Sequence, residues 1–171
     1  LLLALEAQRR GYKIYYYETK NLNFTNGKVY AYIKELKLFK KNKKFYKVIN
    51  QKFFDLSKAN YVLIRQNPPF NMDYITATFF LEQLPKNVKV VNNPISVRNV
   101  SEKFYSVNFL KYMPPTIFTK NIEQIKKFTK KYKKIVIKPI HGYGGKNILF
   151  INKIINQIKV LNYIKKFGHV M

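Results

Sequence analysis

The 171-residue sequence contains no cysteine, which excludes disulfides, a thiolate nucleophile and cysteine-ligated zinc. Tryptophan is absent too, and the two histidines, His141 and His169, stand apart and do not make a metal cluster. Acid is scarce: eight Asp plus Glu in all, with Asp73, Glu102 and Glu123 isolated in helical stretches, so no carboxylate set suited to a metal is visible. No uninterrupted apolar run approaches the roughly 20 residues that span a bilayer. Leu1 to Leu5 has the look of a signal-peptide end, but Glu6 and Gln8-Arg9-Arg10 fit an amphipathic helix better, and no small-residue cleavage site follows. A cytoplasmic protein with no membrane partner is the expectation.

What the chain has in excess is lysine. Lys plus Arg number 33, giving a formal charge of +25, and only Arg9, Arg10, Arg65 and Arg98 are arginine. A surplus of that size is the usual mark of a nucleic-acid or acidic-membrane binder. Two features weigh against it. Arginine, which reads phosphates and bases through its two-pronged geometry, is the rare cation here. Asn, Ile, Tyr and Phe are abundant, as A/T-rich codons favour, and the same drift turns surface positions into Lys. No nucleic-acid partner is expected, although a positive field attracts nucleotide triphosphates and acidic peptides.

Along the chain, helix and strand patterns alternate. Leu1 to Arg10 reads as a helix ending at Gly11, and Tyr12 to Glu18 as a strand. Asn21 to Asn26 reads as a polar turn. Val29 to Phe39 alternates enough for one or two strands, Lys40 to Lys44 is a charged loop, and Phe45 to Ala59 suggests a short strand and a turn. Tyr61 to Ile64 and Val88 to Val91 are short apolar runs typical of buried parallel strands. Between them Asp73 to Leu84 reads as a helix that offers Ile75, Phe79 and Leu81 for burial and stops at Pro85. Ser96 to Val100 suggests a helical turn, and Ser101 a cap for a helix from Glu102 to Leu110. The pattern changes near Met113, where a boundary divides residues 1–112 from 113–171. Beyond it come a strand at Thr116–Thr119, a helix capped by Asn121, strands at Ile135–Lys138 and Asn147–Ile151, and a helix from Ile154 to Phe167. The alternation predicts an α/β layered fold with a mainly parallel sheet. The chain opens inside a helix-like run at Leu1 and stops at Met171 just after another, which reads as a fragment.

Three of the six glycines fall within Lys138-Pro139-Ile140-His141-Gly142-Tyr143-Gly144-Gly145. Glycine there lets the backbone approach a ligand and aim N–H groups at it. The next element is a strand, so the loop is neither a Walker A loop nor a Rossmann fingerprint. Strand, glycine loop, strand is a hairpin flap able to close over a triphosphate, with Lys138 placed to reach a phosphate; a plain glycine-rich hairpin turn is the alternative. His141 lies in the same loop, as a ligand contact or a spectator. Arg65-Gln66-Asn67-Pro68-Pro69-Phe70 and Asn92-Asn93-Pro94 follow the two apolar strands, where open α/β sheets bind ligands. Arg65 and Asn67 have the chemistry to hold a carboxylate; the alternative is a turn that only redirects the chain. Nothing in composition separates Lys103 from the other lysines.

These pieces, in this order, resemble the prokaryotic glutathione synthetase family. The stretches that carry the resemblance are Leu5 to Tyr12, Arg65 to Phe70 followed by Tyr74 to Thr78, Val91 to Pro94 with Arg98 and Glu102-Lys103, and Lys138-Pro139 with Gly142 to Gly145. Gly27 to Ala59 adds nothing to it. The resemblance implies a pre-ATP-grasp α/β domain followed by the beginning of an ATP-grasp fold. It implies an ATP-dependent carboxylate–amine ligase that phosphorylates γ-glutamylcysteine and lets the glycine amine displace the phosphate, with Mg²⁺ on the nucleotide. By motif position Lys103, Lys138, Gly142, Gly144 and Gly145 become ATP contacts, and Arg65, Asn67 and Asn93 substrate contacts. Asn67 departs from the acidic residue frequent at that place in the family. Mg²⁺ ligands, the adenine site and much of the peptide site are not found in these motifs and are expected beyond them. A homo-oligomer is implied for the whole enzyme, and no ligase activity for these residues alone. Two other readings stay open: an ATP-grasp ligase with different substrates, and a basic RNA-binding module, which predicts steeply salt-dependent RNA binding.

Overall fold

The computed structural model describes residues 1–40, 44–152 and 156–171. The chain forms two compact units, Leu1–Arg98 and Asn99–Met171. They part ahead of Met113, where the sequence pattern changes.

The first unit opens with helix α1 (Leu2–Arg9) and strand β1 (Ile14–Tyr16), with Gly11 at positive φ in the connection. Gln8 fastens the helix: its Nε2 donates to Leu38 O at 3.1 Å, and Leu38 N donates to its Oε1 at 2.8 Å. Strands β2 (Leu22–Thr25) and β3 (Lys28–Leu38) form a hairpin across Asn26-Gly27. Both turn residues have positive φ, 49° and 73°, the geometry whose twist matches paired strands and which Asn-Gly favours. The polar turn expected at 21–26 is therefore mostly strand, with the turn at its end.

Strand β3 is the spine of the larger sheet. It pairs antiparallel with β1 and β2 on one edge and with the ten-residue β4 (Tyr46–Asp55) on the other. Period-two alternation buries Val29, Ala31 and Ile33 and leaves Tyr32 and Lys34 exposed. The register shifts between Glu35 and Leu36, which face Asn50 and Val48 and so leave Ile49 unpaired. The short strand and turn expected over 45–59 is thus one long strand followed by a 3₁₀ turn (Leu56–Lys58). Most of the 40–44 charge run, residues 41–43, lies outside the described residues.

Strands β5 (Tyr61–Leu63) and β6 (Lys89–Val91) pair in parallel around helix α2 (Met72–Glu82), and α3 (Pro94–Asn99) follows β6. Among the described residues this is the only parallel pairing, so the mainly parallel sheet expected from the alternation is corrected: the larger sheet is an antiparallel set built on hairpins. The core joins β3 to Val62 and Ile64, to Ala77 and Leu81 of α2, and to Val88. Phe79, expected inside, is exposed and carries the Arg98 guanidinium 4.2 Å from its ring centre.

The second unit begins with a 3₁₀ stretch at Phe104–Tyr112, broken at Phe109, where an α-helix capped by Ser101 was expected. No Ser101 side-chain bond caps it; the Ser101 carbonyl accepts from Tyr105 N. Helix α4 (Ile122–Tyr132) is capped as expected, Asn121 Oδ1 accepting from Glu123 N at 2.8 Å. The expected strand at 116–119 reduces to a bridge between Thr119 and Val170. Strands β7 (Lys134–Ile137) and β8 (Leu149–Asn152) pair antiparallel, and helix α5 (Gln157–Phe167) closes the unit. Its expected start at Ile154 and Ile155 lies outside the described residues. Ile125, Ile137, Ile151, Val160 and Val170 form a separate small core. Among the described residues no helix is long and apolar enough to cross a membrane.

Candidate functional site

The connection from β7 to β8 holds the glycine loop. Lys138 is tied by its backbone, exchanging two 2.9 Å hydrogen bonds with Met171, and Ile140 N donates to His169 O. Two turns follow. Gly142 N donates to Pro139 O at 3.1 Å, closing the first; a Cβ on Gly142 would lie 2.6 Å from Pro139 Cγ, so only glycine fits without displacement. Lys146 N donates to Tyr143 O at 3.1 Å, closing the second around Gly144 and Gly145. These two sit at φ 60° and 69°, with open space where a side chain would be. The tip is thus shaped by backbone geometry, with its exposed side free for an incoming group.

Lys103 is the residue that the structure lifts out of the lysine background. Its side chain is only 14% exposed, and its ammonium reaches into the loop, donating to the Gly142 carbonyl and lying 3.5 Å from Ile140 O and from Glu102 Oε1. A cation withdrawn from water needs such acceptors. This brings Lys103, Gly142 and the stretch after Lys138 together. The Lys138 side chain makes no hydrogen bond or ion pair among the described residues.

One feature of this unit was missed in sequence. Val136 and Phe150 are direct cross-strand partners and both are exposed. Strand alternation places Lys138 on the face of Val136. The signal was present in Lys134-Ile135-Val136-Ile137-Lys138, whose lysines frame one apolar residue on a single face.

In the first unit, Arg65–Phe70 and Asn92–Pro94 leave the C-terminal ends of the adjacent parallel strands β5 and β6, joined by a bond from Ile64 N to Val91 O. The Pro68–Pro69 and Val91–Asn92 peptides are cis. The structure brings these two loops side by side but gives their side chains unequal tasks. Arg65 and Asn67 are exposed, with no hydrogen bond among the described residues. Asn93 is a cap: its Oδ1 accepts from Ser96 N at 2.9 Å and its carbonyl from Val97 N at 3.0 Å. Arg98 braces the same region, donating to Glu82 Oε2 at 2.6 Å and to the buried Thr78 hydroxyl at 3.3 Å.

The second unit thus carries a lysine-held glycine hairpin, and residues 102–168 match the model for the ATP-grasp domain of prokaryotic glutathione synthetase. It is the start of an ATP-grasp domain. Residues 1–98 match the N-terminal domain of the same enzymes, and the chain belongs to the prokaryotic glutathione synthetase family. Among similar proteins, the glutathione synthetase of Mesorhizobium japonicum is 36% identical over 168 residues, covering 98% of this chain and 53% of the relative. Those of two Buchnera aphidicola subspecies are similar at 41% (Baizongia pistaciae; 88% of this chain, 47% of the relative) and 35% (Acyrthosiphon pisum; 96% and 53%). The chain spans about half the length of the curated relatives it matches.

Magnesium, which the family implies, does not fit the residues at hand. Among the described residues no group of three or more His, Cys, Asp or Glu could hold a metal ion, and Glu102 and Glu123 are the only acids of 99–171.

Proposed function

We propose that the chain belongs to a cytoplasmic glutathione synthase, an ATP-dependent ligase that joins glycine to γ-glutamylcysteine. In this reaction the γ-phosphoryl group of ATP passes to the C-terminal carboxylate of γ-glutamylcysteine. The glycine amine then attacks the acyl carbon, phosphate leaves, and glutathione and ADP result. The observation that carries the reading is the partly buried Lys103 ammonium held against the carbonyls of the glycine loop, in a chain of this family.

Each residue then has a task. The Val136–Phe150 surface receives the planar base, and Lys138 beside it meets the first phosphates. Lys103 exchanges its carbonyl partners for phosphate oxygens, and Gly142, Gly144 and Gly145 let the loop close so that backbone N–H groups face the charge that develops on the transferring group. Arg65 and Asn67, unpaired at a strand end, meet a substrate carboxylate. Asn93 supports that loop through its cap and offers its amide N–H₂ to the same substrate. The acidic groups that would hold Mg²⁺ belong to parts of the enzyme outside these residues, and the whole enzyme works as a homo-oligomer.

The test uses a protein of full family length that carries this chain. Given γ-glutamylcysteine, glycine, ATP and Mg²⁺, it forms glutathione and ADP one for one, and Lys138→Met lowers kcat/KM at least about a hundredfold, of the order seen when one charge-stabilising donor is lost. ADP release with other amines and no glutathione would favour a different ATP-grasp ligase. RNA binding by the chain that fades only at high salt and ignores ATP would favour the basic-module reading. The 171 residues alone should yield no glutathione and bind ATP weakly at most.

A further inference from the structure

Tyr74 to Thr78 and Arg98 have no task in the ligase reaction so far, and the structure brings them together. Helix α2 presents Tyr74, Thr78 and Glu82 at every fourth position, so the three share one stripe of its surface. Arg98, near the end of α3, meets that stripe with a side chain only 14% exposed. Its guanidinium makes three contacts at once. One nitrogen donates to Glu82 Oε2 at 2.6 Å, another donates to Thr78 Oγ1 at 3.3 Å, and the Phe79 ring centre lies 4.2 Å from Cζ. Thr78 is buried and its hydroxyl proton goes to Ile75 O, so the oxygen meets the arginine as an acceptor.

The loop after β5 reaches the same stripe one turn earlier. Gln66 Nε2 donates to Tyr74 O at 3.3 Å, and the Phe70 ring packs 5.0 Å from that of Tyr74. Asn71 Oδ1 caps the helix by accepting from Tyr74 N. The loop after β5 is thus registered on the first turn of α2. The loop after β6 is registered, through the Asn93 cap and α3, on the next two turns. The parallel strands fix where the two loops start, and α2 fixes where they end. A planar guanidinium suits the second contact, because its fork bonds two acceptors while its face covers a ring; an ammonium is a single point charge and cannot do both.

We propose that Arg98 is a positioning residue for the ligase reaction, with Gln66 as its counterpart on the other loop. Each holds its loop to α2, so that Arg65 and Asn67 on one loop and Asn93 on the other keep the spacing that a γ-glutamylcysteine carboxylate requires. Arg98 touches no substrate and acts through α3 and Asn93. The proposal rests on the glutathione synthase reading. Its effect falls on the binding of the peptide substrate and spares the nucleotide, which belongs to residues 99–171.

The test is steady-state kinetics on a protein of full family length that carries this chain, with γ-glutamylcysteine and ATP varied in turn. Arg98→Met is expected to raise KM for γ-glutamylcysteine about tenfold and to leave kcat and KM for ATP within about twofold. Arg98→Lys keeps the charge without the fork and leaves the first KM raised at least about fivefold. Glu82→Gln, a milder change that keeps the shape of the partner, raises it about threefold and adds less than about twofold to Arg98→Met, since both act through one contact. Val29→Ala, a core change on β3, lowers the unfolding midpoint and leaves both KM values within about twofold, which separates lost stability from lost positioning. Equal rises in both KM values, a wild-type KM in Arg98→Lys, or a shift in Val29→Ala as large as in Arg98→Met would each overturn the proposal. A wild-type protein that makes no glutathione would remove the ligase reading and the proposal together. Glutathione formation with an unmoved KM in Arg98→Met and Glu82→Gln would remove the proposal alone.

Discussion

Two groups of loops on this chain carry polar residues at the ends of strands, and they are built by different means. In residues 99–171 the loop after β7 is shaped by glycine geometry and held from within by one lysine, whose ammonium turns away from water toward backbone carbonyls. In residues 1–98 the loops after β5 and β6 rest on a buried apolar base; Asn93 and Arg98 brace that region, while Arg65 and Asn67 make no bond among the described residues. A cation held among acceptors in a chain so rich in solvated lysine marks a built position. An exposed arginine at a strand end is only available, and its use depends on a ligand.

Substitutions sharpen this contrast. The largest effect is expected beneath the loops of residues 1–98. Ile64 is buried directly before Arg65, and Ile64→Ala should cost about 2–5 kcal/mol in urea unfolding, through lost apolar contact and the cavity left behind. A loss under 1 kcal/mol would mean that the base of these loops is not packed as described. In the glycine loop, Gly142→Ala forces a methyl toward Pro139 Cγ and should cost about 1–3 kcal/mol, as overpacking does, while speeding amide exchange across 139–146. Unchanged exchange there would show that the turn has room for a side chain. The smallest effect is expected at Asn93. Asn93→Ala removes the acceptor for Ser96 N and should cost about 1 kcal/mol, confined to α3; Asn93→Asp, which keeps the acceptor, should recover most of it. Equal losses in both would point to a role other than capping.

The sequence carried the hairpin around the glycine loop well, because two apolar strands framing a cluster of glycines leave few other arrangements. The caps at Asn121 and the helix at α2 were legible for similarly local reasons. Hairpins of the first unit were not read, although Asn26-Gly27 between alternating residues is a strong two-residue turn signal. The strand-to-strand alternation around α2 suggested parallel pairing and was extended too far, since β1 joins β3, a partner some twenty residues later, through contacts that no local pattern encodes. Lys103 was indistinguishable by composition; its helix-like surroundings suggested a capped α-helix, whereas the chain takes a kinked 3₁₀ path that sends the side chain to Gly142. Motif position makes Asn93 a substrate contact, whereas the capping task of its side-chain oxygen, which accepts from Ser96 N, is visible only in the structure.

We propose that Lys103 and Lys138 act with the glycine loop on a nucleotide's phosphates. The most direct test is an ATP titration of the ¹⁵N-labelled chain, repeated with Lys103→Met and Lys138→Met. Shifts should gather at Lys138 to Gly145 and at Val136 and Phe150, and weaken at least about tenfold in either variant, the loss of one charge-assisted contact of about 1.4 kcal/mol. Shifts spread over the lysine surface, vanishing with salt and indifferent to both substitutions, would contradict it.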